Sequence, residues 1–532
     1  MNDITRRRLL GAMAAAASVE TTGLARAVAQ TVQNGQIPNG QIPNAQAPRF
    51  GFEDVARRVR DLAGAPFEAA PPQLPEQLDR LDFDSWRDIR FKPERALFAN
   101  IPGAFRLQTF HLGFLYKRPV TVNTIRDGIP TPIPYSPALF DYGRNKFDKP
   151  LPINVGFAGF RLHYPLNDPH VFDEAISFLG ASYFRFLGRG QNYGLSARAL
   201  CIGCGDNGEV FPFFREFWIE TPQAGSNRAI IYALLDSEAA TGAFRFELTA
   251  GQESVVDVQA TLFARRANVK FGLAPLTSMY LTGENDRRMR DGYRGELHDS
   301  DGLLLHGDTK EWLWRPLGNP AQARLTSFAD PNLRGFGLMQ RDRDFDSYQD
   351  IELAYETRPS YFVEPQTPWG EGAVELLELP TPDETNDNIV VSFVGGAAPE
   401  VGKPFSYAYR LTSLLDLPRL SPNGRTINTF ATSARALGSA EPVTPGAQRF
   451  IVDFAGGELA YFVNDPSQVE VVATASKGAV IRSSVAANPH IDGLRAMFDV
   501  VTKPGQTTDL RAFLKAGAQT LTETWTFPWT AP

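Results

Sequence analysis

Two short stretches concentrate carboxylates where acid–base chemistry is feasible. "ELHDSDGLLLHGDTKEWLWRPL" (296–317) holds Glu296, Asp299, Asp301, Asp308 and Glu311 together with His298, His306, Trp312 and Trp314. "LPTPDETNDNIV" (379–390) holds Asp383, Glu384 and Asp387. Between them runs "RDRDFDSYQDIELAYETRPSYFVEPQTPWGEG" (341–372), rich in arginine and aromatic residues. Breaking a sugar–sugar bond takes one protonated carboxyl and one ionised carboxylate, held apart in pKa by their surroundings. Asp383 and Glu384 lie close enough in sequence to Asp387 to raise it by like charge, or else stand solvated, and Thr385 is a further supporting candidate. Aromatic faces stack on the apolar side of a sugar ring. Trp312, Trp314, Tyr355, Tyr361 and Trp369 are candidates for that work, and Arg185, Arg343 and Arg358 for donating to hydroxyls.

Each feature also has a structural reading. Asp-Gly in "HDSDG" suits a tight hairpin turn, and "DETNDN" suits a polar loop with Asx turns. Any of the aromatics can be core, and any of the arginines can serve an ion pair. A calcium loop is the weakest alternative, because the twelfth position counted from Asp299 is Lys310 where a bidentate glutamate is needed. The reading therefore assigns no metal and no cofactor. Cys201 and Cys204 ("CIGC") are the chain's two cysteines. With no second ligand pair and no βαβ context, they read as a local disulfide or two thiols without catalytic work.

The elements that must carry these residues are strands. The chain of 532 residues has 38 Phe, 15 Tyr, 45 Gly and 40 Pro, a composition of aromatic strands and many turns. Phe244, Phe246 and Leu248 alternate with Arg245, Glu247 and Thr249, and similar runs recur for some 350 residues. No phosphate-binding glycine loop and no βα rhythm interrupts them. The expected fold is all-β. One helix is expected at "FEDVARRVRDLAG" from its 3.6-residue spacing, and a second at "DEAISFLGASYFRF" (173–186). "TRRRLLGAMAAAASV" followed by "ARA" reads as a twin-arginine export signal, over residues 1–29. A Gln/Asn/Pro tether follows over 30–49. Removing residues 1–27 takes away four arginines and two acids and moves the formal charge from −7 to −9. An acidic chain gives no electrostatic reason to bind nucleic acid or anionic lipid. No later apolar stretch is long enough to span a membrane.

Longer strings carry a resemblance. "LGASYFRFLGRGQNYGLSARAL" (179–200), "FREFWIE" (214–220), "APLTSMYL" (274–281), "ELHDSDGL" (296–303), "EWLWRPL" (311–317), "GFGLMQRDRDF" (335–345) and "PTPDETNDNIV" (380–390) resemble the periplasmic glucan biosynthesis proteins of G and D type. The twin-arginine signal is closer to the D type. The resemblance implies a large galactose-mutarotase-like β-sandwich, placed over 50–412. A linker over 413–425 and a small immunoglobulin-like sandwich over 426–532 complete the expected order. It also implies a periplasmic location, β-1,2-glucan as the partner, contact with other proteins of periplasmic glucan biosynthesis, and an inverting endo-β-1,2-glucanase activity. The general acid of that pattern falls on Asp387 and the general base on Asp299. Two rival readings stand beside it: a non-catalytic glucan scaffold, and a sugar epimerase using His298 or His306 with a carboxylate.

Overall fold

A computed structural model of the chain describes residues 49–532 apart from 70–73, 207, 288–291, 416–419 and 436–443. The expected export signal lies outside the described residues, as does the expected tether up to residue 48. The fold is all-β. The expected first helix forms at Phe52–Ala63, with the Asp54 carboxylate accepting from the Gly51 N–H at 2.9 Å. Its apolar stripe, Val55 and Val59, is fully buried against Trp218, Tyr232, Leu234 and Phe263 of the sheet beneath.

Two large antiparallel-dominated sheets face each other across a phenylalanine-rich core. One contains the strands Phe157–Tyr164, Asp173–Leu179, Tyr183–Phe186, Ser196–Arg198, Phe271–Ser278, Ile389–Gly395 and Gly372–Glu378 in that spatial order. The other contains Trp312–Pro316, Gly302–His306, Gly335–Met339, Ser360–Pro365, Pro404–Leu414, Val255–Ala264, Ala240–Thr249, Arg228–Asp236 and Phe213–Glu220. Phe178 packs on Phe217 and Phe246 with ring centroids 5.3 and 5.1 Å apart, and Phe160 on Phe217 at 5.0 Å. The two faces thus interdigitate, and each such ring pair adds about 0.5–1.5 kcal/mol beyond its area burial.

The expected second helix at 173–186 is instead a hairpin. Asp173–Leu179 pairs with Tyr183–Phe186, with Ile176 opposite Phe186 and Phe178 opposite Phe184. Gly180 and Ala181 turn the chain with φ of 77° and 42°, a pair of left-handed residues that ends any helix. The apolar run carried no parity that distinguished the two, and this turn decided it.

The C-terminal residues build a four-stranded sheet, Arg425–Ser433, Gln448–Ala455, Gly493–Val501 and Ala479–Asn488, in the order 1-2-3-4 of that list. Their other strands extend the second large sheet, because Thr524–Thr530 pairs in parallel with Trp312–Pro316 (Leu313 opposite Thr524, Trp314 opposite Trp525). Hydrogen bonding therefore runs across the boundary expected at 413–425, although a connection does separate Leu414 from Arg425. Strands in this region serve two cores at once. Leu303, Leu305 and Leu313 face the main core, while Leu304, Trp312 and Trp314 face a second core with Phe450, Phe454, Phe498 and Trp525.

Candidate active site

The run after strand Leu297–His298 is not a hairpin turn. Leu297–His298 pairs with Tyr280–Thr282, whereas Gly302–His306 pairs with Trp312–Pro316, so residues 299–301 cross from one sheet to another. That crossing is pinned by Asp299 N–H to Met279 O (2.8 Å) and Asp301 N–H to Met339 O (2.9 Å). Asp301 accepts in turn from the backbone N–H groups of Arg341 (2.8 Å) and Asp342 (2.9 Å). The Asp299 side chain is held buried at this crossing.

Asp387 arrives from a different direction. It sits on the loop joining Gly372–Glu378 to Ile389–Gly395, a hairpin of the opposite sheet. The expected Asx turn is present, with Thr385 N–H donating to Asp383 Oδ1 at 2.9 Å. Asn388 fastens the loop's end, its side chain bonding Tyr280 N–H and Tyr280 O at 2.8 and 3.0 Å. Tyr280 belongs to the strand that pairs with Leu297–His298, so one side chain fixes both acid-bearing segments.

The charges of the two aspartates act on each other. Burial raises the Asp299 carboxyl above its ordinary range; the Arg358 guanidinium in contact with it pulls the other way, and the charge of Asp387 adds to the rise. Arg185 feels both acids: burial works to lower it, but Asp387, Tyr116 and Asp299 outweigh that and raise it. Arg185 projects outward because its neighbours Phe184 and Phe186 face the core. It remains solvent-accessible, and its Nε donates to Ser196 Oγ at 2.6 Å. Arg358 lies 3.7 Å over the Tyr355 ring, and its stem crosses Gly194, where a Cβ would meet the Arg358 Cβ at 2.9 Å. Glycine is required there for that close approach.

Several expected ligand residues have other work. Trp312 and Trp314 are buried in the second core; Trp312 stacks on His306 at 4.1 Å and Trp314 lies 3.6 Å beneath Arg341. Tyr361 is fully buried, stacked on Phe186 at 4.6 Å, and its hydroxyl donates to Phe186 O at 2.6 Å. Trp369 packs on Phe393 beyond the far end of strand Ser360–Pro365, and its Nε1–H donates to Ala408 O. Arg343 donates to the carbonyls of Glu356 and Arg358, both at 2.8 Å, and so braces the Arg358 segment. Strand alternation gave these residues a face but not the layer that covers it. Tyr355 is buried, with its hydroxyl donating to Glu384 at 3.0 Å. Glu384 also takes Arg294 at 2.8 Å, and Arg294 reaches Asp350 at 3.1 Å. Arg294, Asp350, Gln340 and Asn388 escaped the sequence reading, since single polar residues carry no periodic signal.

His298 is fully buried, and both its ring nitrogens are engaged, by Gln340 at 2.9 Å and Glu296 at 3.0 Å. His306 lies against Trp312. With both its nitrogens engaged, His298 has none left to serve as the base that an epimerase needs. A disulfide joins Cys201, in the middle of strand Leu200–Ile202, to Cys204 in the loop that follows. Among the described residues no helix is long and apolar enough to cross a membrane.

An all-β sandwich with acids and arginines gathered from both of its sheets defines the class. The profile of the family described as "Periplasmic glucan biosynthesis protein, MdoG" matches residues 50–529, and the chain belongs to that family. It is 43% identical over 484 residues to the glucans biosynthesis protein G of Pseudomonas paraeruginosa, covering 90% of this chain and 92% of that protein. It is 42% identical to the glucans biosynthesis protein D of Xanthomonas campestris pv. campestris, covering 91% of each chain. A probable glucans biosynthesis protein D of Shewanella oneidensis is 41% identical, over 88% of this chain and 87% of its own length. Among solved structures a polysaccharide lyase aligns with 70% of this chain and 44% of its own at 8% identity. Its TM-score of 0.19 is too low to define a common fold.

Proposed function

We propose that this protein acts in the periplasm as an inverting endo-β-1,2-glucanase of glucan biosynthesis. Asp387 protonates the leaving glycosidic oxygen, and Asp299 accepts the proton of the attacking water, directly or through further waters. The observation that supports this reading is that Asp299 and Asp387, carried by different segments, both act electrostatically on one solvent-accessible arginine, Arg185. A base works best with a pKa drawn toward the working pH, and burial moves Asp299 in that direction while Arg358 keeps it from losing its charge. Arg185 is placed to donate to sugar hydroxyls and to compensate charge as the proton moves between the two acids. Removing Trp312, Trp314 and Tyr361 from the ligand set leaves polar recognition by arginine and carboxylate as the main source of grip.

The test is incubation of the purified protein with linear β-1,2-glucan, sizing the products and following the anomer first released by NMR. Shorter chains released as the inverted anomer are expected. An intact polymer that nonetheless binds with measurable affinity would replace this reading with that of a glucan scaffold.

A further inference from the structure

The hydrogen bonds around His298 determine where its protons are. Gln340 Nε2 lies 3.0 Å from His298 O and 3.3 Å from Tyr355 O, two backbone carbonyls that only accept. It also lies 2.8 Å from the Tyr348 hydroxyl, whose own hydrogen points to Asp342 O at 3.1 Å. The Gln340 amide is thereby oriented, and its oxygen faces His298 Nδ1, which must carry a hydrogen. The other nitrogen faces a Glu296 carboxylate oxygen. His298 with both nitrogens protonated satisfies every partner.

The surroundings favour that charge. The ring lies parallel to Tyr280 at 5.3 Å and edge-on to Tyr348 at 5.4 Å. Burial works against the cation, but Glu296, Asp301 and Glu284 outweigh it and hold the imidazole at about 9. Arg287, 4.0 Å from the far oxygen of Glu296, is the cation on the outer side. His298 immediately precedes Asp299. The same Gln340 amide that receives the imidazolium also holds Tyr355, and Tyr355 is the platform under Arg358. One amide therefore joins the strand that carries the base to the segment that carries the base's counter-ion.

We propose that Gln340 and the His298 imidazolium form a positioning clamp that sets the Asp299–Arg358 pair in register without touching substrate. The effect on turnover rests on the glucanase reading above; the clamp itself does not. Gln340→Leu removes the node. Its kcat on linear β-1,2-glucan is expected to fall at least about tenfold, with KM within about twofold of the parent. Loosening Arg358 removes what opposes the rise of Asp299, so the acid limb of kcat/KM should move up by about one pH unit, which a loss of folded protein does not do. Gln340→Glu keeps the acceptor for Nδ1–H and loses the donors, so it should share the shift if Gln340→Leu fails to fold. Parental kcat with an unmoved limb in a folded variant overturns the clamp.

Two measurements read it without activity. Long-range 1H–15N correlation on 15N-histidine-labelled full-length protein should show one ring among the six histidines still doubly protonated at pH 8. No such ring overturns the assignment. If the parent protein does not cleave the glucan, the glucanase reading fails alone, and a crystal structure of a Gln340 variant decides the clamp. Arg358 displaced from Asp299 supports it, and Arg358 unmoved overturns it.

Discussion

Replacing Arg358 with methionine tests how the water-activating carboxylate stays charged. Methionine retains a stem to lie across Gly194 and Tyr355, so the main loss is the cation. The two partners are nearly covered, with side chains 11% and 7% exposed, so solvent does little to screen the pair. Leaving a buried charge without its partner costs about 3–5 kcal/mol. A carboxyl escapes that cost by taking a proton, at about 1.4 kcal/mol for each pH unit between its pKa and the solution. Asp299 is already raised by burial and by Asp387, and Arg358 is the largest influence holding it down. A group raised on folding gives its full stabilisation at low pH and loses it as pH climbs through the folded value. Without Arg358 that loss extends to higher pH. Urea unfolding should therefore show the variant destabilised more at pH 8 than at pH 4.5, by on the order of 2–3 kcal/mol. The acid limb of its kcat/KM profile should move up by at least about one pH unit, because a protonated Asp299 cannot take a proton from water. Equal destabilisation at both pH values together with an unmoved limb would refute the argument, and would mean that Arg185 alone keeps Asp299 ionised.

Asp387→Asn should lower the hydrolysis rate at least about 10²-fold with binding retained; a substrate with an activated leaving group should partly rescue it but not Asp299→Asn, and rescue of Asp299→Asn in its place would reverse the roles. His298 is held at about 9 against an ordinary 6.5, so its contribution, about 3 kcal/mol, should be lost between those pH values and be absent from a folded His298→Gln variant. Glu284, raised to about 8 by burial first and then by Glu296 and Asp301, loses stabilisation in the same direction between about 4.5 and 8, so chemical denaturation across pH 4.5–9 should show a continuous decline. Trp314→Ala should cost about 3–5 kcal/mol in unfolding free energy and leave the glucan affinity of the folded fraction unchanged. A Cys201→Ser/Cys204→Ser double variant should keep its turnover per folded molecule, since the disulfide contacts neither aspartate; a hundredfold loss would give the pair a role in the site.

Local physics made much of this chain legible before any contact was known. The spacing of Val55 and Val59 required a helix, and the alternation of Phe244, Phe246 and Leu248 required a strand with one face inside. The acids of "ELHDSDG" and "PDETNDN" announced themselves by composition. Periodicity assigns a residue to a face, but only the packed layers say what covers that face. Trp312 and Trp314 lie on the side of their strand that the C-terminal strands seal, which no count along 296–317 could reveal. The run 173–186 was equally apolar for helix or hairpin until Gly180 and Ala181 took left-handed backbone. Asn388, Gln340 and Arg294 act through partners from distant segments. Their contribution exists only once folding has closed those distances, because a hydrogen bond reaches about 3 Å and leaves no mark on local sequence pattern.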